Sequence, residues 1–251
     1  SMDNTIQIAR NYASNDPRIK IYINECNLGD YPNRNKAASY ASGKYLKYLD
    51  SDDRIYPHGL EAMVYAMEKF PQAGLGLPSQ RIEEEKPYPI LVNQVSAYKE
   101  FFFNGDFMIT GPTGSIIKKS LFETVGGFSG KRFVGDNEMW LILAARQPVV
   151  KFQPGLFWWR KHETQEYKTG QSVKGYFTMS YLTLKSILTN ENCPLCGLDN
   201  KRAMKLLDAK QSRLILHLLL KKRKFKDGLE IMKACSLSAL NLIRNAFWNR
   251  K

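Results

Sequence analysis

Apolar residues along this chain fall into short runs whose spacing changes repeatedly between helical and strand-like periods. Residues 4–14 read as a helix with Asn4 or Thr5 as its cap, closed by Asn15-Asp16-Pro17. Ile19, Ile21 and Ile23 then alternate with more polar residues, the period of a half-buried strand. A helix over residues 33–42 is predicted to stop at Gly43. Tyr45, Leu46, Tyr48 and Leu49 form the next strand, and Leu60, Met63, Val64 and Met67 place a helix over residues 57–70. Helices and strands in this alternating order predict a parallel sheet covered by helices.

The middle is less regular. A short strand over 74–77, a charged, Pro-containing loop over 82–98 and an apolar strand over 101–110 are expected. A strand over 115–118 and a helix over 120–125 follow, the helix ended by Gly126-Gly127. A helix over 136–145 can be capped by its own first residue, Asp136. A strand over 149–152 leads to the aromatic run 156–159 and on to Arg160-Lys161-His162. From about residue 172 the pattern is helical throughout.

The segment "YLDSDDRIYP" places Asp50, Asp52 and Asp53 where a strand ends and a helix is about to begin. Ligands bind at that position in open α/β sheets. Asp50 and Asp52 point to one side of the chain, and two such carboxylates suit a hard divalent cation, Mg²⁺ or Mn²⁺. A solvated acidic turn is the competing account of the same residues. An EF-hand is excluded, because the sixth position of that template is Ile55 rather than Gly and the eighth is Pro57.

Charge narrows the choice of partner. The chain has 251 residues, enough for a full core, and a net charge of +13. Residues 201–251 hold 14 of its 37 basic residues and only 3 of its 24 acidic ones. The basicity therefore belongs to the tail, not to the acidic turn, which weakens a nucleic-acid-binding reading; no recognition motif supports it either. Four cysteines in a chain of this length do not form a disulfide framework, and Cys193-Pro-Leu-Cys196 is a lone pair without a nearby His. No apolar run reaches the length of a membrane-spanning helix, and no signal peptide is expected.

Four motifs in order tie these observations together. "NLGDYPNRNKAASYASGKYLKYLDSDD", "TGPTGSIIKKSLFETVGGF", "GDNEMWLILAAR" and "WWRKHETQ" resemble successive segments of the family 2 inverting glycosyltransferases of GT-A fold, the group that builds bacterial polysaccharides. The resemblance runs over about residues 4–165. It implies an α/β GT-A sheet with helices on both faces over residues 1–170, and a basic helical region over 171–251. The opening "DNTIQIA" resembles the end of the family's first turn, so the family's N-terminal strand-helix-strand unit is expected to be missing. The family's Glu-Asp pair appears here as Gly135-Asp136.

The resemblance also implies roles. Asp136 is the expected general base, Asp52 a metal ligand through the family's DXD motif, and His162 a further metal ligand. Asp50, Arg34 and Arg160 are expected at the nucleotide diphosphate. Glu138, Trp158 and Gly114 are expected on the acceptor side, with Gly114 in the turn that shapes the cleft. The implied cofactor is Mg²⁺ or Mn²⁺, the donor a nucleoside-diphosphate sugar, and the acceptor a glycan or a lipid-linked glycan. A catalytically inactive scaffold is the alternative within the same fold, and the joint presence of Asp50, Asp52, Asp136 and His162 argues against it.

The tail carries its own expectation. Apolar residues at helical spacing, Lys221, Lys222, Arg223, Lys224 and Lys226, and a closing segment with Phe247 and Trp248 suit peripheral attachment to an anionic membrane. A cytoplasmic protein on the inner face of the cell membrane is the corresponding expectation. Packing of these helices on the catalytic domain, or a homodimer contact, is the alternative.

Overall fold

The computed structural model describes residues 3–83, 85–105, 107–163 and 175–248. Ten helices are used below as landmarks: α1 (Thr5–Asn15), α2 (Asp30–Tyr40), α3 (Gly59–Lys69), α4 (Gln94–Lys99), α5 (Lys119–Thr124), α6 (Gly135–Arg146), α7 (Tyr176–Thr189), α8 (Gly197–Leu216), α9 (Phe225–Ala234) and α10 (Ala239–Ala246). The strands are β1 (Tyr45–Leu46), β2 (Arg54–Ile55), β3 (Leu75–Pro78), β4 (Ile90–Val92), β5 (Ile116–Lys118), β6 (Val149–Phe152) and β7 (Phe157–Trp158).

Five strands form one sheet in the order β1-β5-β3-β6-β4. Only β3 and β6 run parallel, with Leu75 opposite Val149 and Pro78 opposite Phe152. The other three pairings are antiparallel. The all-parallel expectation is thus corrected to a mixed sheet. A pattern of alternating elements does not reveal that β5 enters between β1 and β3, because that placement is made by contacts distant in sequence.

Alternation along the strands separates two cores. Ile116, Val150 and Phe152 face Met63, Ala66 and Met67 of α3. Their neighbours Ile117 and Val149 join Leu75 and Leu77 in the larger core with Leu121, Trp140 and Leu143. Helices therefore cover both faces, as expected. The sheet is held by burial of β-branched and large apolar side chains, each worth about 1.5–3 kcal/mol when fully buried.

Three local expectations fail for physical reasons. The Ile19–Ile23 alternation forms no strand: no strand among the described residues pairs with it, and Ile19, Tyr22 and Ile23 are exposed. The loop expected over 82–98 contains β4 and α4, whose cap is Asn93, its side chain accepting the Ser96 N–H at 2.8 Å. The strand expected over 101–110 begins as a π-helical turn, residues 100–104. Period alone does not separate a short apolar run of one kind from the other. Tertiary contact decides here, because α4 and this turn pack on each other and the turn also packs on α8.

The C-terminal helices lie against this α/β unit. Helix α7 packs on α6, and Lys99 of α4 pairs with Asp199 of α8 at 2.7 Å. Buried Tyr181, Ala203, Leu207 and Ile215 belong to the larger core. The packing alternative weighed for the tail is therefore present. The domain boundary expected near residue 170 and the end of the fourth motif, Gln165, lie outside the described residues.

Candidate active site

The acidic turn is assembled by two long-range pairings. Where β1 ends, Lys47 turns inward and its Nζ donates to the carbonyls of Tyr48 (2.9 Å) and Thr113. The Thr113 hydroxyl in turn accepts the N–H of Asp50 at 3.1 Å. Burial pushes the Lys47 ammonium down to about 8, against the pull of Asp50 and Asp53. Sequence reasoning missed Lys47. Its signal was a basic residue between Leu46 and Tyr48, inside an otherwise apolar strand.

The second pairing is β2 with β7, Arg54 opposite Trp158 and Ile55 opposite Phe157. It carries residues 160–162 back to the acidic turn across more than a hundred residues of chain. The Arg160 N–H donates to Asp53 Oδ1 at 3.1 Å, and His162 Nε2 lies 2.7 Å from Asp52 Oδ2. The His162 hydrogen bond holds the Asp52 carboxyl below its ordinary value, and the charges of His162 and Arg160 act in the same direction.

Asp50 faces a different partner. Its Oδ1 is 2.7 Å from Arg34 Nη1, and Arg34 Nε reaches Asp30 Oδ1 at 2.7 Å. The three carboxylates that looked like mutually repelling neighbours in sequence each have a separate countergroup: Arg34 for Asp50, His162 for Asp52, the Arg160 amide for Asp53. Among the described residues, no group of three or more His, Cys, Asp or Glu comes together as a metal cage. The donor atoms that do adjoin are the Asp52 carboxylate and the His162 imidazole. An oxygen and an imidazole nitrogen fit Mn²⁺ better than Mg²⁺, which takes oxygen ligands, as two ligands of a larger set, if the hydrogen bond between them gives way.

Asp136 sits in the second position of α6, not at its cap, which is Val134. Its carboxylate accepts the N–H of Asn137 at 2.8 Å, and its own N–H donates to the Tyr31 hydroxyl at 3.1 Å. Burial raises the Asp136 carboxyl from 3.8 to about 6; the Asn137 amide opposes this, Asp30 adds to it, and the Arg34 charge opposes it. Asp136 therefore shares electrostatic neighbours with Asp50 through Arg34. The Gly135 of this chain also has a local reason: a Cβ there would meet the Tyr31 ring at 2.6–2.9 Å. Two non-glycine residues near this helix start, Met108 (φ 59°) and Phe133 (φ 69°), hold left-handed backbone. Such conformations cost of order 1–3 kcal/mol each and persist where surrounding contacts enforce them. Asn137 supplies one such contact, its amide donating to the Met108 carbonyl at 2.8 Å.

The acceptor-side residues divide. Trp158 is 46% exposed on β7 and open to a ligand. Glu138 is buried, its carboxylate held by the Ser129 hydroxyl and by Lys131 Nζ at 2.6 Å, so it braces the 129–131 loop. Gly114 closes the turn Pro112–Gly114, and a Cβ there would strike the Thr110 hydroxyl at 2.2 Å and the Phe157 ring at 2.9 Å. Its lack of a Cβ lets Phe157 of β7 approach this turn.

The model described as "Glycosyl transferase family 2" matches residues 1–126 of the chain's 251. The chain belongs to that family. The matched residues include Arg34, Asp50 and Asp52; Asp136 and His162 lie beyond them. Among curated relatives, the chain is 24% identical to glycosyltransferase GlyG of Streptococcus pneumoniae over 252 residues, covering 90% of this chain and 80% of that protein. It is 36% identical over 64 residues to the uncharacterized glycosyltransferase YibD of Escherichia coli, covering 26% of this chain but 18% of that protein. The match to the uncharacterized glycosyltransferase MJ1057 of Methanocaldococcus jannaschii likewise spans 21% of that protein. A solved structure of S. aureus TarS 1-349 with UDP-GlcNAc superimposes with a TM-score of 0.59 at 15% identity, covering 100% of this chain and 82% of that one. That likeness establishes the GT-A fold for this family 2 chain.

Proposed function

We propose that this chain is an inverting glycosyltransferase that moves one sugar from a nucleoside-diphosphate sugar to a glycan or lipid-linked acceptor. The observation that carries the reading is the placement of Asp136: a carboxylate raised to about 6, in the first turn of α6 and within the field of Arg34. At neutral pH such a group is ionised yet basic enough to accept a proton, the condition for an efficient general base.

In the proposed reaction the acceptor hydroxyl gives its proton to Asp136 as its oxygen forms a bond to the anomeric carbon. The bond from that carbon to the diphosphate breaks on the opposite face, and the nucleoside diphosphate leaves with the electron pair. Arg34 and Arg160 supply positive charge where the leaving group gains negative charge. Asp52 and His162 would hold a divalent cation, which when bound stabilises the departing diphosphate. The Thr113–Lys47–Asp50 contacts fix the acidic turn against the 112–114 turn.

A nucleotide-sugar donor is supported by the family and by the neighbour solved with UDP-GlcNAc. A lipid-linked acceptor is supported by a Campylobacter jejuni relative named GalNAc(5)-diNAcBac-PP-undecaprenol beta-1,3-glucosyltransferase, 23% identical over 201 residues, 76% of this chain and 62% of that protein. Peripheral attachment on the cytoplasmic face of the membrane fits the tail. No helix of the described residues is long and apolar enough to cross a membrane. Helix α10 instead presents exposed Leu240 and Ile243 while Leu242 is buried, and Phe247 at its C-cap is also exposed. Phe225 and Leu229 of α9 are also exposed, directly after the run Lys221, Lys222, Arg223, Lys224. Each basic residue close to an anionic surface contributes about 1 kcal/mol.

Hydrolysis of nucleotide sugars, measured across UDP- and GDP-linked donors with and without Mn²⁺, tests the reading. Release of nucleoside diphosphate that disappears in Asp52→Ala supports it. No release or binding of any nucleoside-diphosphate sugar would count against it.

A further inference from the structure

A cavity of about 550 Å³ opens where the α/β unit meets the C-terminal helices. The π-helical turn supplies Phe101, Phe102 and Phe103 to one wall, and Tyr176, Leu184 and Leu206 come from α7 and α8. Its volume lies within the range of about 300–1,000 Å³ typical of small-molecule sites. Val134 and Asn137 also line it, so it reaches the first turn of α6, where the candidate base sits.

Its charge is one-sided. No Asp or Glu is among its described lining residues, whereas Lys210 and Arg213 both are. Arg213 is partly committed, donating to the carbonyls of Ala246 (2.9 Å) and Trp248 (2.8 Å) at the end of α10. Lys210 enters no ion pair or hydrogen bond among the described residues, so its ammonium is available to a ligand. Ser180, Thr183 and Asn104 add neutral hydrogen-bonding groups to the lining. An apolar wall left open to water is unfavourable by about 25 cal/mol per Å², and an apolar ligand relieves that. A sugar alone would leave the three phenylalanines poorly matched, and a purely apolar molecule would leave Lys210 unanswered.

We propose that this cavity binds an amphiphile that joins an apolar chain to an anionic group, with the chain against Phe101–Phe103 and the anion at Lys210. Resting on the transferase reading, the occupant is the carrier end of the acceptor, held while its sugar reaches Asp136. The shared chemistry is a phosphate monoester or diester attached to hydrocarbon, and it differs from a free phosphate only in the apolar part.

Isothermal titration of the whole chain with decyl phosphate below its micelle concentration tests the proposal. Decyl phosphate should bind in the micromolar range. Lys210→Met should weaken it about tenfold, the loss of one charge-assisted contact. Decyl glucoside, which is uncharged, should be indifferent to Lys210→Met, and inorganic phosphate alone should bind far more weakly than decyl phosphate. Ser180→Trp, which fills the cavity, should abolish binding of both decyl compounds. Lys210 is exposed, so its replacement keeps the test valid even if the tryptophan variant fails to fold. Decyl phosphate affinity unchanged in Lys210→Met would overturn the proposal, because the ligand would then be adsorbing elsewhere. Inorganic phosphate binding as tightly as decyl phosphate would also overturn it, leaving only a free-anion site. UDP titrated in parallel separates the two readings: absent UDP binding counts against the transferase, while absent decyl phosphate binding beside intact UDP binding counts against the cavity alone.

Discussion

Asp136→Asn removes one negative charge from the first turn of α6 while leaving the size and shape of the side chain unchanged. Burial raises this carboxyl from 3.8 to about 6, so the folded protein holds the proton more tightly than the unfolded chain does. Stability therefore falls as pH rises through that interval. The loss is complete above about pH 6, where it reaches about 3 kcal/mol at about 1.36 kcal/mol per tenfold change in proton affinity. The neutral amide escapes this cost. Relative to the wild type, the variant should gain about 1 kcal/mol at pH 4.5 and about 3 kcal/mol at pH 8. For a chain of this size the larger value corresponds to a melting temperature higher by roughly 5–10 °C. The same change should lower turnover by a factor of about 10² to 10⁴, the range for a lost general base, with donor affinity little altered. Scanning calorimetry of both proteins at pH 4.5 and pH 8, beside turnover at pH 8, measures both effects. A variant no more stable than the wild type at pH 8 would refute the claim that burial disfavours this charge. An equal gain at both pH values would show that ionisation is not the cause. Retained turnover would place the base elsewhere.

Four further outcomes are expected. Wild-type kcat/KM should fall on acidification through about pH 6, since the base must be ionised; Arg34→Met should move that limb to higher pH, because the Arg34 charge favours the ionised Asp136. Asp52→Ala and His162→Ala should each remove the Mn²⁺ dependence of UDP-sugar binding in titration calorimetry, and a dependence preserved in both would reject them as ligands. Gly135→Ala should destabilise by about 1–3 kcal/mol in thermal unfolding, because its Cβ would overlap the Tyr31 ring that also holds the Asp136 N–H. Replacing Leu240 and Phe247 by Ser should reduce co-sedimentation with anionic vesicles at low salt while leaving neutral vesicles unaffected; equal sedimentation of variant and wild type would remove α10 from the membrane contact.

The chain's own order of residues was sufficient for whatever depends on neighbours in sequence. Helical spacing located α3 and α6 to within two or three residues, alternation located β3, β5 and β6, and the ordered motifs pointed to the family and its fold. Local composition also marked the acidic turn with Asp52, a set of carboxylates at a strand end, while His162 and Asp136 were singled out through the resemblance. Tertiary structure decided what depends on partners far along the chain. The alternating Ile19–Ile23 segment had the period of a strand but no described strand to pair with, whereas Ile90–Val92 became a strand because β6 offered one. The same holds at the site. Which of the three clustered carboxylates meets a cation, an imidazole or an amide was settled by α2 and by the β2–β7 pairing, not by the acidic turn. Glu138 lies two positions from Asp136 in sequence, yet one is tied to Lys131 and the other stands beside Tyr31, because a helix turns successive side chains toward different surroundings. Burial has the same origin: the packing that raises Asp136 to about 6 includes Tyr31, about a hundred residues away in sequence, and no local pattern encodes it.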